Sequence, residues 1–559
     1  MTLALGFKGG VLGIGEETTY GEHGKFTVDA TNNKFDFDIG ASELNATIAS
    51  GTYSAGASQA TAGTLCKALY DAIVAAEAAG TYTVTFDIET KKFTITRSAG
   101  TFNIKWKTGT NGSDNNDTHI GTLIGFDDSA DDGSALTYTA DNVVAICQKF
   151  IEVNSDGLDD DEPPIYSGAI AGVFRDDDER SQGRINPSGP FDFEMRYEGM
   201  EMLFEHVMGG VSTAEVVSFT VTSASNDKID FKEDAGSELT ATLAAGTYAM
   251  GESSATAGTL CAQIKTQMEA AGAGTYTVTF SNATKKLTIA VSGGAAAVQI
   301  LWNSGTNNAT AADTLLGFAA DTANAASVTA PNAVVTIFDH TLTMSDELPT
   351  GLNLEVDRDI KAFVNCGGKL RSLALTQDIA GFLSGSIDTV AKDVNKAPVD
   401  TATLPTAPLV LFSHGAIEYN NSSINITALD LTITNNLKED RDYIGSRTKA
   451  EPKRNAKYEV AGNFSTEYED ENIFDDFRAA TSRKLEAVYT HPTAIKTGFS
   501  YTVTITMNQI KLDKGLPLIS DEGPIMYNVP FTALAADSSS REVIIVIRNT
   551  NSDITTNNY

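Results

Sequence analysis

The side chains best suited to chemistry in this sequence are carboxylates. Residues 154–162 read NSDGLDDDE and residues 127–133 read DDSADDG. Oxygen-rich runs of this kind suit a hard divalent cation such as Ca²⁺, but neither has the ligand spacing of an EF-hand loop. GVLGIG (10–15) is glycine-rich, yet it lies outside any βαβ unit and lacks the spacing of a phosphate-cradling loop. GxSxG, Walker A and HExxH patterns are absent. The six histidines fall in no ligand spacing, and the four cysteines form no CxxC pair. Acidic neighbours abound, so closeness in sequence nominates no general acid–base pair. We therefore expect no catalytic residues, no cofactor, no metal site and no enzyme activity. The cysteines are expected to be small buried hydrophobes.

The charge balance narrows the class further. There are 40 Lys+Arg against 73 Asp+Glu in 559 residues, a formal net charge of −33. Gripping nucleic acid takes clustered cations that release counterions from phosphate, and this surface repels phosphate instead. A polybasic membrane anchor is disfavoured for the same reason. No stretch approaches ~18 consecutive apolar residues, so no membrane-spanning segment is expected, and Met1–Phe7 is too short for a signal h-region.

Two polar runs differ in sign. Residues 152–180 carry Asp159, Asp160, Asp161, Glu162, Asp176, Asp177 and Asp178 against two arginines. Residues 438–457 carry Lys449, Lys453, Arg454 and Lys457 among seven bases. The plain reading of a charge run is a solvated face. The sharper one is that the acidic loop of one subunit meets the basic loop of the next.

The elements that must position these loops emerge from internal repetition. ELNATIASGTY (43–53) returns as ELTATLAAGTY (238–248), ATAGTLC (60–66) as 255–261, and TYTVTF (81–86) as 275–280. KKFTI (91–95) returns as KKLTI (285–289), and Trp106 with GTN (109–111) as Trp302 with GTN (305–307). One unit is thus present twice, at 25–140 and 217–332. Each reads as a small α+β module: alternating strands (Phe35, Phe37, Ile39; Ile229, Phe231), then a helix, then further strands. The first helix would bury Leu65, Cys66, Leu69, Ala72 and Ile73, with Gly80 and Gly272 ending the two helices. Both tryptophans read as core residues rather than ligand-stacking ones.

Outside the modules a fainter duplication remains. GPFDFEMRYEGMEMLF (189–204) parallels GNFSTEYEDENIFDDF (462–477), each a strand followed by a short acidic amphipathic helix. A Pro/Thr-rich break at 395–408 separates the halves. Copy A is then 1–24 plus 141–216 plus 333–394, and copy B is 395–559. Alternation of Thr502, Thr504, Thr506 and Asn508 with Val503, Ile505 and Met507 marks a two-faced strand.

On these residues the chain resembles bacteriophage tail tube (major tail) proteins. GFKGGVLGIGEETTYG, GPFDFEMRYEGMEMLFEHVMGG and the carboxy-terminal run from LDLTITNNL to REVIIVIRN are similar to segments of that family. The module resembles a repeat inserted in phage virion proteins. The resemblance implies a mainly β fold, a β-sandwich tail-tube fold duplicated in one chain, with two inserted α+β modules. It implies a virion structural protein, made in the host cytoplasm. It would polymerise into stacked rings that form the channel for DNA delivery. Its partners would be itself, other tail proteins, and phage DNA passing without specific binding. Two copies per chain predict trimeric, pseudo-hexameric rings, with a hexameric ring as the alternative. The loop residues named above would be inter-ring contacts. The rival readings are another virion structural or decoration protein, a surface adhesin and, least favoured, a polysaccharide-degrading virion enzyme.

Overall fold

Alternating burial along most strands gives a mainly β chain. We describe it from a computed structural model that covers residues 10–40, 42–166, 180–234, 236–496, 498–517, 519, 522–535 and 541–555. The chain divides into two compact units. The first comprises Met1–Gly210, Thr343–Ala487 and Thr506–Ile544; the second comprises Val211–Leu342, Val488–Ile505 and Ile545–Tyr559.

The first unit is organised by one long strand, Ala362–Asp378. Its first half pairs with Gly351–Asp357 on one side and Asp393–Ala397 on the other. Val11–Glu17 and then Lys149–Glu152 extend that sheet. Near Leu370 and Ser372 the register slips, leaving Arg371 as an extra residue. Such a bulge bends a strand and re-aims it. The second half accordingly joins another antiparallel sheet, between Ser384–Val390 and Ile426–Thr434. From Ser384–Val390 that sheet continues through Pro187–Glu194 to an edge at Ser155–Asp156 and Asp159–Asp160. From Ile426–Thr434 it continues through Glu459–Glu467 and Met526–Ala533 to Ile510–Leu512.

Glycine permits the closest packing inside this sheet. A side chain on Gly385 would collide with the ring of its cross-strand partner Phe193, and one on Gly462 with the ring of its partner Phe531. The aromatic rings lie over the bare backbone and pack the apolar face.

The two wings of the sheet share one register. Ser155 faces Asp192 and Asp160 faces Pro187; Ala428 faces Ser465 and Ile433 faces Val460. A single constant shift carries the first pairs onto the second. Another constant shift carries Lys369–Val390 and Leu370–Thr389 onto Lys511–Thr532 and Leu512–Phe531.

Helix Glu201–Met208 corrects the expectation of an amphipathic segment. It buries Met202, Leu203, Phe204, Val207 and Met208, and also Glu201 and His206. Its apolar residues surround the axis, as suits a helix enclosed in a core. Helix Asn472–Ala479 keeps a solvent face and buries only Ile473 and Asp476.

Residues 25–140 fold within the first unit. Helix Leu65–Ala76 starts at Thr64, whose hydroxyl accepts from Lys67 N, and buries Leu65, Cys66, Leu69 and Ile73. Ala72 is half-buried, and Ile39 lies past its strand and is exposed. The helix ends before Gly80, at Glu77, whose carboxylate turns to Arg97 Nη2 (2.6 Å) and to the Tyr82 hydroxyl. Trp106 is buried edge-on to Phe35 and donates to Asp132 Oδ2 at 2.9 Å.

The second unit repeats this order of elements in residues 219–300. Helix Leu260–Ala271 is capped by Thr259 and buries Leu260, Cys261, Ile264 and Met268, and Gly272 is its C-cap. Trp302 is buried and stacks on Phe318. Along Phe499–Leu512 the alternation holds: Val503, Ile505 and Met507 are buried, while the threonines between them are half-exposed and Asn508 is exposed.

The first module is pinned by a buried ion triad. Lys91, in the Lys-Lys turn, is fully buried and donates to Glu355 Oε2 and Asp400 Oδ1, each at 2.6 Å. Asp400 Oδ2 also accepts from Ile146 N and Cys147 N. Removing one partner of a buried group strands the others without water. Lys91→Met should therefore lower stability by about 3–5 kcal/mol. The half-exposed neighbour in Lys92→Met should cost about 0.5 kcal/mol or less. Equal chemical-denaturation midpoints for the two variants would contradict the pin.

Glu17 gives a second test. Burial pushes its carboxyl up to about 8, against the pull of the Gly367 and Gly21 amides that donate to it. An unfolded glutamate loses its proton near ~4.3. Between those values the folded state holds a proton that the unfolded state does not. This group's contribution to stability therefore falls as pH rises from about 5 to 8. Measured across that range, Glu17→Gln should flatten the stability–pH slope; an unchanged slope would contradict the assignment.

Candidate functional site: a carboxylate-bearing sheet face

Strand alternation sorts the second sheet of the first unit into two faces. Toward the core point Phe191, Phe193, Ile387, Leu373, Leu375, Leu431, Ile433, Phe464, Val529 and Phe531, all buried. The opposite face is built of small polar residues and acids. Ser384, Ser386, Ser372, Thr376, Thr432, Thr434, Asn463, Ser465 and Asn528 lie on it by register.

The same register places Asp159, Asp192, Glu194, Asp378, Asp388, Asp430, Glu459 and Glu467 on this face. Cations reach it only near its ends, among the described residues. Arg371, at the bulge, donates to Asp388 Oδ2 at 3.2 Å and to Glu439 Oε1 at 2.6 Å. Lys511 stands opposite Thr532, beside the last strand of the face. Among the described residues this is a face of small polar groups and carboxylates.

The loop residues fall into several environments. Asp159 and Asp160 lie in the edge strand, with Asp161 just beyond it. Asp159 and Asp161 are exposed. Burial and then the neighbouring Glu162 raise the Asp160 carboxyl above the usual carboxylate range. Glu162 meets the basic run within the same chain, accepting from Arg447 Nη2 at 2.9 Å. Lys449 is buried and donates to Asn186 Oδ1 at 2.6 Å, and burial pulls its ammonium pKa down. Arg454 donates to the Ser345 carbonyl and to Asn435 Oδ1 (2.7 Å). Lys453 and Lys457 are exposed. Asp176, Asp177 and Asp178 lie outside the described residues.

The acidic runs do not assemble a cation cage from their own carboxylates. Asp156 is paired with Arg358 Nη2 at 2.9 Å. Asp131 and Asp132 accept from the Lys107 and Thr108 amides and the Trp106 indole. Asp128 approaches His119 Nε2 at 3.5 Å, as does Asp117. But His119 Nδ1 accepts from Gly121 N, which puts the ring proton on Nε2, where a metal would need a lone pair. Cys147, Glu355 and Asp400 also converge, and there the Lys91 ammonium fills the centre. Lys91 was not singled out in the sequence. The repeated Lys-Lys turn was its only signal, because its partners lie hundreds of residues away. GVLGIG runs into the strand Val11–Glu17 and forms no loop around an anion. All four cysteines are free and buried.

No helix among the described residues is long and apolar enough to cross a membrane. No curated protein matches the chain. A family model described as phage tail tube protein matches residues 106–533. That match spans most of the chain, including every strand of the carboxylate-bearing sheet, and the mainly β architecture agrees with it. The chain belongs to the phage tail tube protein family, as a structural component of the virion tail.

Proposed function

We propose that this protein polymerises into stacked rings whose channel carries DNA to the host cell, with the carboxylate-bearing face lining the channel. The observation that carries this reading is the face itself. It is broad and continuous, lined by small hydroxyls and acids, and poor in the Lys/Arg clusters that hold phosphate. Such a lining repels the DNA backbone and offers it no counterion release, so the duplex slides rather than sticks.

The constant shift between the two wings of the sheet supports two tube-forming copies per chain, at 1–24 plus 141–216 plus 333–394 and at 395–559. Three chains then make a ring of six folds. Residues 25–140 and 217–332 are inserted modules that decorate the outside. Synthesis takes place in the host cytoplasm, and other tail proteins cap the tube.

Contact between rings falls to the exposed cations Lys453 and Lys457, since Lys449 and Arg454 are engaged within the chain. Lys453→Glu with Lys457→Glu should shorten tubes severalfold in electron micrographs and leave ring diameter unchanged. Unchanged tube length would remove these lysines from the stacking contact.

The lining has its own test. Asp192, Asp388, Asp430 and Glu467 replaced together by Lys should make assembled tubes retain duplex DNA at low salt and release it as salt rises. Native tubes should retain none under the same conditions. Equal retention by both would contradict a repelling channel.

A further inference from the structure

The buried triad brings together more than opposite charges. Lys91 Nζ lies 2.6 Å from Asp400 Oδ1 and 2.6 Å from Glu355 Oε2. The lysine side chain is fully buried, and each carboxylate side chain is only 3% exposed. The other Asp400 oxygen, Oδ2, accepts from Ile146 N at 3.2 Å and from Cys147 N at 3.3 Å. Glu355 Oε1 accepts from Asp400 N at 2.8 Å, which holds Oε2 on the amine. Val364 stands cross-strand from Glu355, and Cys147 Sγ lies 4.0 Å from Glu355 Oε2. Both belong to one buried apolar cluster with Phe26 and Phe93 of the first module.

These are the parts of an amide-forming site. A desolvated lysine amine is a nucleophile once it gives up its proton. Two main-chain N–H groups on one carboxyl oxygen stabilise the charge that develops there during attack. A second carboxyl group in contact with the amine moves the protons. Burial, and then repulsion from Asp400, raises the Glu355 carboxyl, which suits it to take up and return a proton. Burial also pushes the Cys147 thiol well up, so the sulfur stays protonated and does not compete as a nucleophile. Fixed contact in a dry site favours condensation over hydrolysis.

We propose that Lys91 and Asp400 join in an intramolecular isopeptide bond, with Glu355 as the group that transfers the protons. Glu355 takes a proton from the Lys91 ammonium and passes it to Asp400 Oδ1, leaving a neutral amine beside a neutral carboxyl group. Oxygens of Glu355 and Asp400 lie within 4.8 Å of each other, with the amine in contact with both. Nζ attacks Cγ, the C–N bond forms, and the negative charge on Oδ2 is held by the Ile146 and Cys147 amides. Glu355 then carries a second proton from the nitrogen to Oδ1. The C–O bond breaks and Oδ1 leaves as water. Ammonium and carboxylate become amide and water, nothing is oxidised or reduced, and Glu355 ends as it began. The bond replaces two buried charges by a neutral group and ties residues 309 positions apart. The second module supplies a contrast. Lys285 holds the same place in its Lys-Lys turn and donates to the main-chain carbonyl of Thr550 at 2.7 Å, a group with no hydroxyl to lose.

Mass spectrometry of the denatured full-length chain tests the bond, whatever the state of assembly. The native chain should be lighter than its sequence mass by one water. Proteolysis should release a branched peptide that joins Lys91 to Asp400, while the peptide holding Lys285 should be linear. Glu355→Gln and Lys91→Arg should each restore the full sequence mass and run more slowly than the native chain on denaturing gels, because the bond keeps a long loop closed. The first readout comes from the native chain and needs no variant to fold. A native chain at its full sequence mass would overturn the bond and leave an ion triad only. A branch from Lys91 to Glu355 would overturn the assignment of Asp400 as the acylating group. Loss of water that persists in Glu355→Gln would overturn the role given to Glu355.

Discussion

Backbone pairing along Ala362–Asp378 is the constraint on which the first unit depends. Every amide and carbonyl of a buried strand needs a partner, and this strand meets that need in two different sheets. The extra residue Arg371 marks the changeover, and its guanidinium is held by Asp388 and Glu439. The bend lets one strand serve a core-enclosing sheet in its first half and the broad polar-faced sheet in its second. Strict period-two alternation then does the chemical sorting. Leu373, Leu375 and Gln377 turn inward, while Ser372, Thr376 and Asp378 turn to solvent.

The same logic connects stability to function. An apolar face rich in Phe and Leu holds the sheet to its core, which frees the opposite face to carry small polar residues and carboxylates. Carboxylates cost little on a solvated surface, and their mutual repulsion is eased at one end by Arg371. The buried Lys91–Glu355–Asp400 triad is a different use of charge. It gives up solvation to tie the Lys-Lys turn of the first module to Glu355 and Asp400.

Much of this was legible in the sequence where the signal is local. The repeated GTY, ATAGTLC and YTVTF strings mark the module elements, and Thr64 and Thr259 cap the helices where a Thr before an apolar run should. Both tryptophans are core residues, as their shared position implied. Non-local features were not legible. The triad joins residues from distant parts of the chain, and the acidic face draws one carboxylate from here and another from there, so neither forms a run. Within the two charge runs, Glu162 meets Arg447 of its own chain, and Lys449 and Arg454 have partners in the chain. Helix Glu201–Met208 read as amphipathic because it holds Glu201, Glu205 and His206, yet Glu201 and His206 are buried with the rest. Gly80 looked like a helix stop, but the helix ends earlier, with Glu77 as its C-cap.

The central claim is that the Asp192–Asp388–Asp430–Glu467 face encloses a channel, with two tube-forming copies supplied by each chain. A cryo-electron-microscopy reconstruction of the assembled tube tests it most directly. The account predicts three chains per ring, with these four carboxylates facing the lumen and residues 25–140 and 217–332 projecting outward. Six chains per ring would contradict the two-copy arrangement, and a lumen lined by any other face would contradict the proposed channel.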